Sequence, residues 1–397
     1  MAFFDINPLL ESMLDASASV SDLNLSVGRP PQVEIDGTLQ SVSFGSVDRL
    51  MPYHTEVIAM RLMRSKRELV ERLVQKGSVD LSYSLPKRTR FRVNIFSQRG
   101  TFSIVLRVIP NKIPTVEELS LPTQLNEITN ERNGIVLVTG PTGSGKSTTL
   151  AAIIGKMNRE LPIHIVTIED PIEYLHRHDK ATINQREVGT DTASFSDALR
   201  AALRQAPKVI LVGEMRDRET VTTALEASET GHLVLSTLHT IDATKTIDRI
   251  IGVFPKNEER QIRNRFAQSF KWVVSQRLIP KKEGGRFAAC EILRANSRTR
   301  EYIREGERDG KTLLDAMNDS SLDGMQSFDS VLERLIREGA VDAQLGLSYA
   351  TNRANLQLRL GLDSSMAGED EKTEENADDE LVTADSIDTD LQQMIER

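Results

Sequence analysis

Residues Gly140-Pro141-Thr142-Gly143-Ser144-Gly145-Lys146-Ser147 set glycines, one lysine and a hydroxyl at the spacing of a phosphate-binding loop. Glycines let successive backbone N–H groups wrap phosphate oxygens at a helix N-terminus. The Lys146 ammonium would neutralise β and γ oxygens, and the Ser147 hydroxyl would serve Mg²⁺. The surroundings suit that chemistry, because the apolar run Ile135 to Thr139 precedes the loop and a helical run from Thr148 to Met157 follows it.

Such a loop needs a second acid for Mg²⁺ and a group that positions water, both at the ends of other core strands. Glu214 follows Val209-Ile210-Leu211-Val212-Gly213 and takes the Mg²⁺ role beside Ser147. Glu169 and Asp170 end the run Ile163 to Ile168, and Glu173 comes after Pro171-Ile172; any of these three carboxylates is a base for water on residue type and position alone. His232 and His239 flank Leu233 to Thr237, where a γ-phosphate sensor fits. No Asn-Lys-x-Asp string points to guanine, so ATP is the expected nucleotide, and no His/Cys/Asp spacing points to zinc.

Positioning these groups falls to a run of short apolar strands alternating with helices from Gly134 onward, the pattern of an α/β domain with a mostly parallel sheet. Past about Phe254 the chain reads as helical, with Glu258 to Ser275, Ser297 to Glu305 and Ser327 to Glu338 as predicted helices. Ahead of the loop, residues up to about Arg107 read as a smaller α+β domain. Its features are an amphipathic start at Leu9, Leu10, Met13 and Leu14, a hairpin turn at Asp36-Gly37, a charged helix from Glu56 to Gln75, and an antiparallel ribbon pairing Arg90–Phe96 with Phe102–Val108. Pro110, Pro114 and Pro122 mark a linker. The resulting expectation is an N-terminal domain over residues 1–108, a linker over 109–122, an ATPase domain over 123–362 and a tail over 363–397.

The formal net charge of −8 is concentrated at the end. Residues 363–397 hold 13 acids against Lys372 and Arg397, a net of −11, which leaves +3 for the rest. The tail reads as solvated and disordered. A near-neutral body with 5% aromatic residues gives no footprint for nucleic acid, so none is expected as a partner. The single cysteine, Cys290, allows no internal disulfide, and neither a leader-like start nor a long apolar run is present; a cytoplasmic protein is expected.

Over residues 8 to 360 the chain resembles the secretion ATPase superfamily, and within it the type IV pilus retraction ATPases of the PilT/PilU type. The strings that carry the likeness are the phosphate loop, Thr167-Ile168-Glu169-Asp170-Pro171-Ile172-Glu173, Asn184-Gln185-Arg186-Glu187-Val188-Gly189, Gly213-Glu214-Met215-Arg216-Asp217, and Gly231 to Thr240. The resemblance implies a RecA-like ATPase domain behind a PAS-like N-terminal domain. It implies that Glu173 activates water, that Glu214 serves Mg²⁺, and that nucleotide is held by Gly140 to Ser147, Thr148 and His232, with His239 catalytic. It further implies that Arg92 and Arg107 reach a nucleotide at a subunit boundary. The expected assembly is a homo-hexamer, peripheral to the inner membrane through a pilus platform protein, that powers pilus retraction and twitching motility. Of the retraction signature, Arg298 to Gly306 keeps Arg300 and Ile303 to Gly306, which leaves an accessory retraction ATPase working with a paralogue as the alternative. A nucleic-acid translocase is the less favoured third reading.

Overall fold

The computed structural model describes residues 5–45, 47–110, 112–308 and 310–362; the acidic tail over 363–397 lies outside the described residues. Residues 20–109 carry a six-stranded sheet. Its strands are β1 (Val20–Leu25), β2 (Gln32–Ile35), β3 (Thr38–Ser41), β4 (Ser78–Leu85), β5 (Thr89–Gln98) and β6 (Thr101–Ile109), in the order β3-β2-β1-β6-β5-β4 with antiparallel neighbours. The turn at Asp36-Gly37 joins β2 to β3 with positive φ at both residues, as a tight hairpin requires. Alternation in β5 buries Phe91, Val93 and Ile95 and leaves Arg90, Arg92 and Asn94 on the other face. The charged stretch expected as one helix is two, Pro52–Leu62 and Arg67–Lys76, because Arg64 and Ser65 turn left-handed between them.

The second sheet is built from β7 (Gly134–Thr139), β8 (His164–Glu169), β9 (Thr182–Glu187), β10 (Val209–Val212), β11 (Leu233–Leu238), β12 (Phe270–Pro280) and β13 (Arg286–Arg294), in the order β13-β12-β7-β11-β10-β8-β9. The run from β12 to β9 is parallel. β7, β10 and β11 are buried at every position, as strands covered by helices on both faces must be. Successive residues go to opposite cores: Ile135, Leu137, Ile210 and Val234 to one, Val136, Val138, Leu211 and Leu235 to the other. Val116 and Leu121, in the proline-marked segment, are buried in the second of these cores.

One expectation here is corrected. The helix predicted over Glu258–Ser275 ends at Ser269, and Phe270, Trp272, Val273 and Val274 belong to β12, buried beside β7. The charged helical period stops at Gln268, and the aromatic and β-branched residues that follow are stabilised by burial on both faces of the sheet, which overrides local continuation of the helix.

Among the described residues, those up to Leu278 with Phe287–Ser327 form one compact unit, and Ile279–Arg286 with residues 328–362 form another. In the latter, the Asp329 carboxylate takes the N–H groups of Thr351 and Asn352, fixing the turn into the helix Arg353–Leu360. Among the described residues no helix is long and apolar enough to cross a membrane.

Candidate active site

The phosphate loop begins where β7 ends. Gly140 turns with φ of 142°, and a Cβ there would lie 2.4 Å from the Gln276 carbonyl, so the close approach of loop and β12 requires glycine. Gly145, at φ 90°, occupies the N-cap of the helix Lys146–Glu160 and offers no side chain to its first-turn N–H groups. Those donors, aligned with the positive end of the helix dipole, are left for an anion. The Lys146 ammonium donates to the carbonyls of Gly140 at 2.9 Å and Pro141 at 3.0 Å, and Ser144 Oγ is buried with no partner. Burial pulls Lys146 below the usual lysine pKa, while the Glu214 carboxylate pushes it back up.

Thr142, Gly143, Gly145, Lys146, Ser147 and Thr148 line a cleft of about 1160 Å³. Glu214, one residue beyond the Gly213 that follows β10, lines it as well, pairing with Arg216 Nε at 2.7 Å and facing His239 Nε2 at 3.6 Å. The Thr237 hydroxyl, near the end of β11, donates to the Gly213 carbonyl at 2.6 Å and ties the Glu214 and His239 segments together. Burial and the positive charges of Lys146 and Arg216 hold His239 below the ordinary histidine pKa, against the opposing pull of Glu214. Neutral imidazole is therefore favoured beside the phosphate loop.

The third wall is the turn after β8. Ile172 is buried, and Glu173 stands exposed in the cleft. Gln185, from β9, clamps this turn: its amide nitrogen donates to the Tyr174 carbonyl at 2.8 Å and to Glu169 Oε1 at 3.1 Å, and its amide oxygen accepts the His176 N–H at 2.8 Å. Tyr174 OH lies 3.0 Å from Thr148 Oγ1, so the turn touches the first turn of the phosphate-loop helix. Glu169 is enclosed, which raises its carboxyl above the usual range against hydrogen bonds from Thr167 and Gln185 and the Glu173 N–H. All three carboxylates left open on residue type line the cleft; Glu169 is occupied with local hydrogen bonds, whereas Asp170 and Glu173 are exposed to it.

Arg92 and Arg107 line the same cleft, on the phosphate loop of their own chain. They are cross-strand partners on β5 and β6, and Arg107 Nε donates to Asp22 Oδ1 at 3.0 Å. Like charges directly opposite repel, so the pair favours an anion between them and the loop. His232 stands apart: it precedes β11, its ring bonds the Ala227 carbonyl at 3.0 Å, and it does not line the cleft. The structure does not bring both histidines to this cleft, because six residues of extended strand separate them by about 20 Å.

Ser147 and Glu214 fit Mg²⁺, which commonly takes only one or two protein oxygens and completes its shell with phosphate and water. Accordingly, no cluster of three His, Cys, Asp or Glu side chains able to hold a metal occurs among the described residues. Sequence alone gives no role to Asp22, Tyr174, Gln185 or Glu187; the one available signal is the string Asn184–Gly189, whose Gln185 and Glu187 bond the turn that carries Glu173.

The family model described as "Type II/IV secretion system protein" matches residues 32–329. The type IV pilus retraction ATPase PilT of Pseudomonas aeruginosa is 42% identical over 340 residues, 86% of this chain and 96% of that protein. The type IV pilus ATPase PilU of the same organism is 37% identical over 361 residues, 91% and 92% of the two chains. A crystal structure of the pilus retraction motor PilT with bound ADP superposes with a TM-score of 0.79 at 41% identity, covering 89% of this chain and 99% of the other.

Proposed function

The chain belongs to the Type II/IV secretion system protein family, and within it we propose an ATP-hydrolysing motor that powers type IV pilus retraction. The observation that carries this reading is the convergence of Lys146, Ser147, Glu173, Glu214 and His239 on one cleft. Uncapped N–H groups and Lys146 bind the phosphates. Ser147 and Glu214 would hold Mg²⁺, which would supply positive charge to the phosphates. Glu173 orients and deprotonates the attacking water, His239 senses the γ-phosphate as a neutral donor, and Arg92 and Arg107 offset charge that develops in the transition state. The working assembly is a homo-hexamer in the cytoplasm, engaging an inner-membrane platform protein. The 37% identity to PilU keeps an accessory motor, working with a paralogue, as the second reading.

The test has two arms. Purified full-length protein should hydrolyse ATP in the presence of Mg²⁺, and absence of turnover would remove the enzyme assignment. Deletion in the native host should leave abundant pili that do not retract; bald cells would instead point to assembly.

A further inference from the structure

Glu187, the last residue of β9, is a buried carboxylate that none of the steps above uses; its side chain is 4% exposed. Its Oε2 accepts the Ile172 N–H at 3.2 Å and pairs with Arg90 Nη2 at 3.2 Å. Its Oε1 accepts the hydroxyls of Ser82 at 2.6 Å and Thr190 at 3.2 Å. Ser82 and Arg90 belong to β4 and β5 of the first sheet, whereas Ile172 immediately precedes Glu173. Arg90 and Arg92, two residues apart on β5, share one face of that strand, so the face that sends Arg92 into the cleft sends Arg90 onto Glu187.

One oxygen therefore joins the first sheet to the backbone of the turn that carries Glu173. A carboxylate needed only to close β9 would have no use for a half-buried guanidinium from another sheet. We infer that the Arg90–Glu187 ion pair is a strut through which the first sheet sets the position of the Glu173 turn, making Arg90 and Glu187 positioning residues for hydrolysis. Displacing the first sheet pulls Oε2 away from the Ile172 N–H, and Glu173 loses its alignment on water. The strut rests on the assignment of Glu173 given above. It adds a mechanical link by which movement of the first sheet switches water activation without touching the phosphate loop.

The test uses full-length protein carrying Arg90→Met, Glu187→Gln, the double substitution, and Arg90→Lys. The double variant leaves no unpaired buried charge, so it guards against simple unfolding. The expected result is a fall in kcat of about tenfold or more in both single variants and in the double. The double should be no worse than the poorer single variant, and Arg90→Lys should recover part of the loss. Affinity for a fluorescent ADP analogue should stay within about twofold of wild type. Hydrogen exchange at the Ile172 and Glu173 amides should accelerate in Arg90→Met, a readout that stands even if the wild-type chain fails to hydrolyse ATP and the motor reading falls. Unchanged exchange at these amides, wild-type turnover in the double variant, or a loss of ADP-analogue affinity matching the loss of kcat would each overturn the strut.

Discussion

The phosphate loop and the Glu173 turn both follow strands of the second sheet, β7 and β8, yet they are held by different means. The loop is secured from within a few residues: Lys146 on the Gly140 and Pro141 carbonyls, the Ser144 N–H on Pro141, and β12 backbone against Gly140. The turn has a long local bond, the Glu173 N–H on Glu169 at 3.4 Å, and the contact of Tyr174 OH with Thr148; otherwise it is held by Gln185 and Glu187 of β9, with Arg90 of the first sheet behind Glu187. Phosphate binding is thus a nearly local property of the chain, whereas water activation depends on how distant elements are assembled. A motor gains from that division, since substrate can stay bound while its hydrolysis is gated by the position of another part of the molecule.

The sharpest way to break the comparison is to cut each region at its functional group. Lys146→Ala should lower turnover by about 10³-fold or more and also weaken ATP binding, because its ammonium contacts phosphates in the ground state. Glu173→Gln should lower kcat by about 10²- to 10⁴-fold with binding unchanged, because the carboxylate acts only on the attacking water. Steady-state kinetics paired with equilibrium binding separates the two. Equal losses of affinity in both variants would merge the two regions into one, and wild-type turnover in Glu173→Gln would move the base to Glu169.

The arginines of the first sheet should fall between these regions. Arg92→Ala or Arg107→Ala should lower turnover by about 10- to 100-fold while nucleotide affinity is kept. The structure places both on their own chain's cleft, whereas the family resemblance implies action across a subunit boundary. Mixing Arg92→Ala with Lys146→Ala protein decides which holds. Recovered hydrolysis in mixtures would show an arginine acting on a neighbour, and absence at every ratio would keep it on its own site.

The same division explains what the sequence disclosed. β7, β10 and β11 are legible because strands buried on both faces appear as unbroken apolar runs, and the glycines and lysine of the loop are required by local geometry. β9 is not legible as a strand, since Thr-Ile-Asn-Gln-Arg-Glu looks polar, and its half-buried Gln185 and buried Glu187 find their partners in the turn that precedes them and in the first sheet. β12 read as helix for the complementary reason, its burial being supplied by β7 more than 130 residues earlier. Choosing Glu173 over Glu169 likewise needed tertiary contacts or family resemblance, because residue type and spacing treat the two alike.

The smallest effect should distinguish the regions by acid rather than by substitution. His176, whose N–H is held by Gln185, lies in the turn with its Nδ1 buried and unpartnered, and burial lowers its pKa from 6.5 to about 4. The unfolded chain therefore binds a proton between these values that the folded chain refuses, so stability falls as pH drops from 6.5 towards 4 and is constant with respect to this group above and below that window. A shift of this size corresponds to at most about 3 kcal/mol. Other groups also titrate in this range, so the informative quantity is the difference in unfolding free energy between wild type and His176→Gln. That difference should be flat from pH 7 to 8 and should move in favour of the variant by about 1 to 3 kcal/mol between pH 6.5 and 4.5. Denaturant unfolding at several pH values measures it, and parallel curves for the two proteins would show that His176 reaches water and that the turn is more open than the structure places it. A neutral His176 also predicts that acid loosens the turn before the phosphate loop, so ADP-analogue affinity should outlast turnover as pH falls through this window.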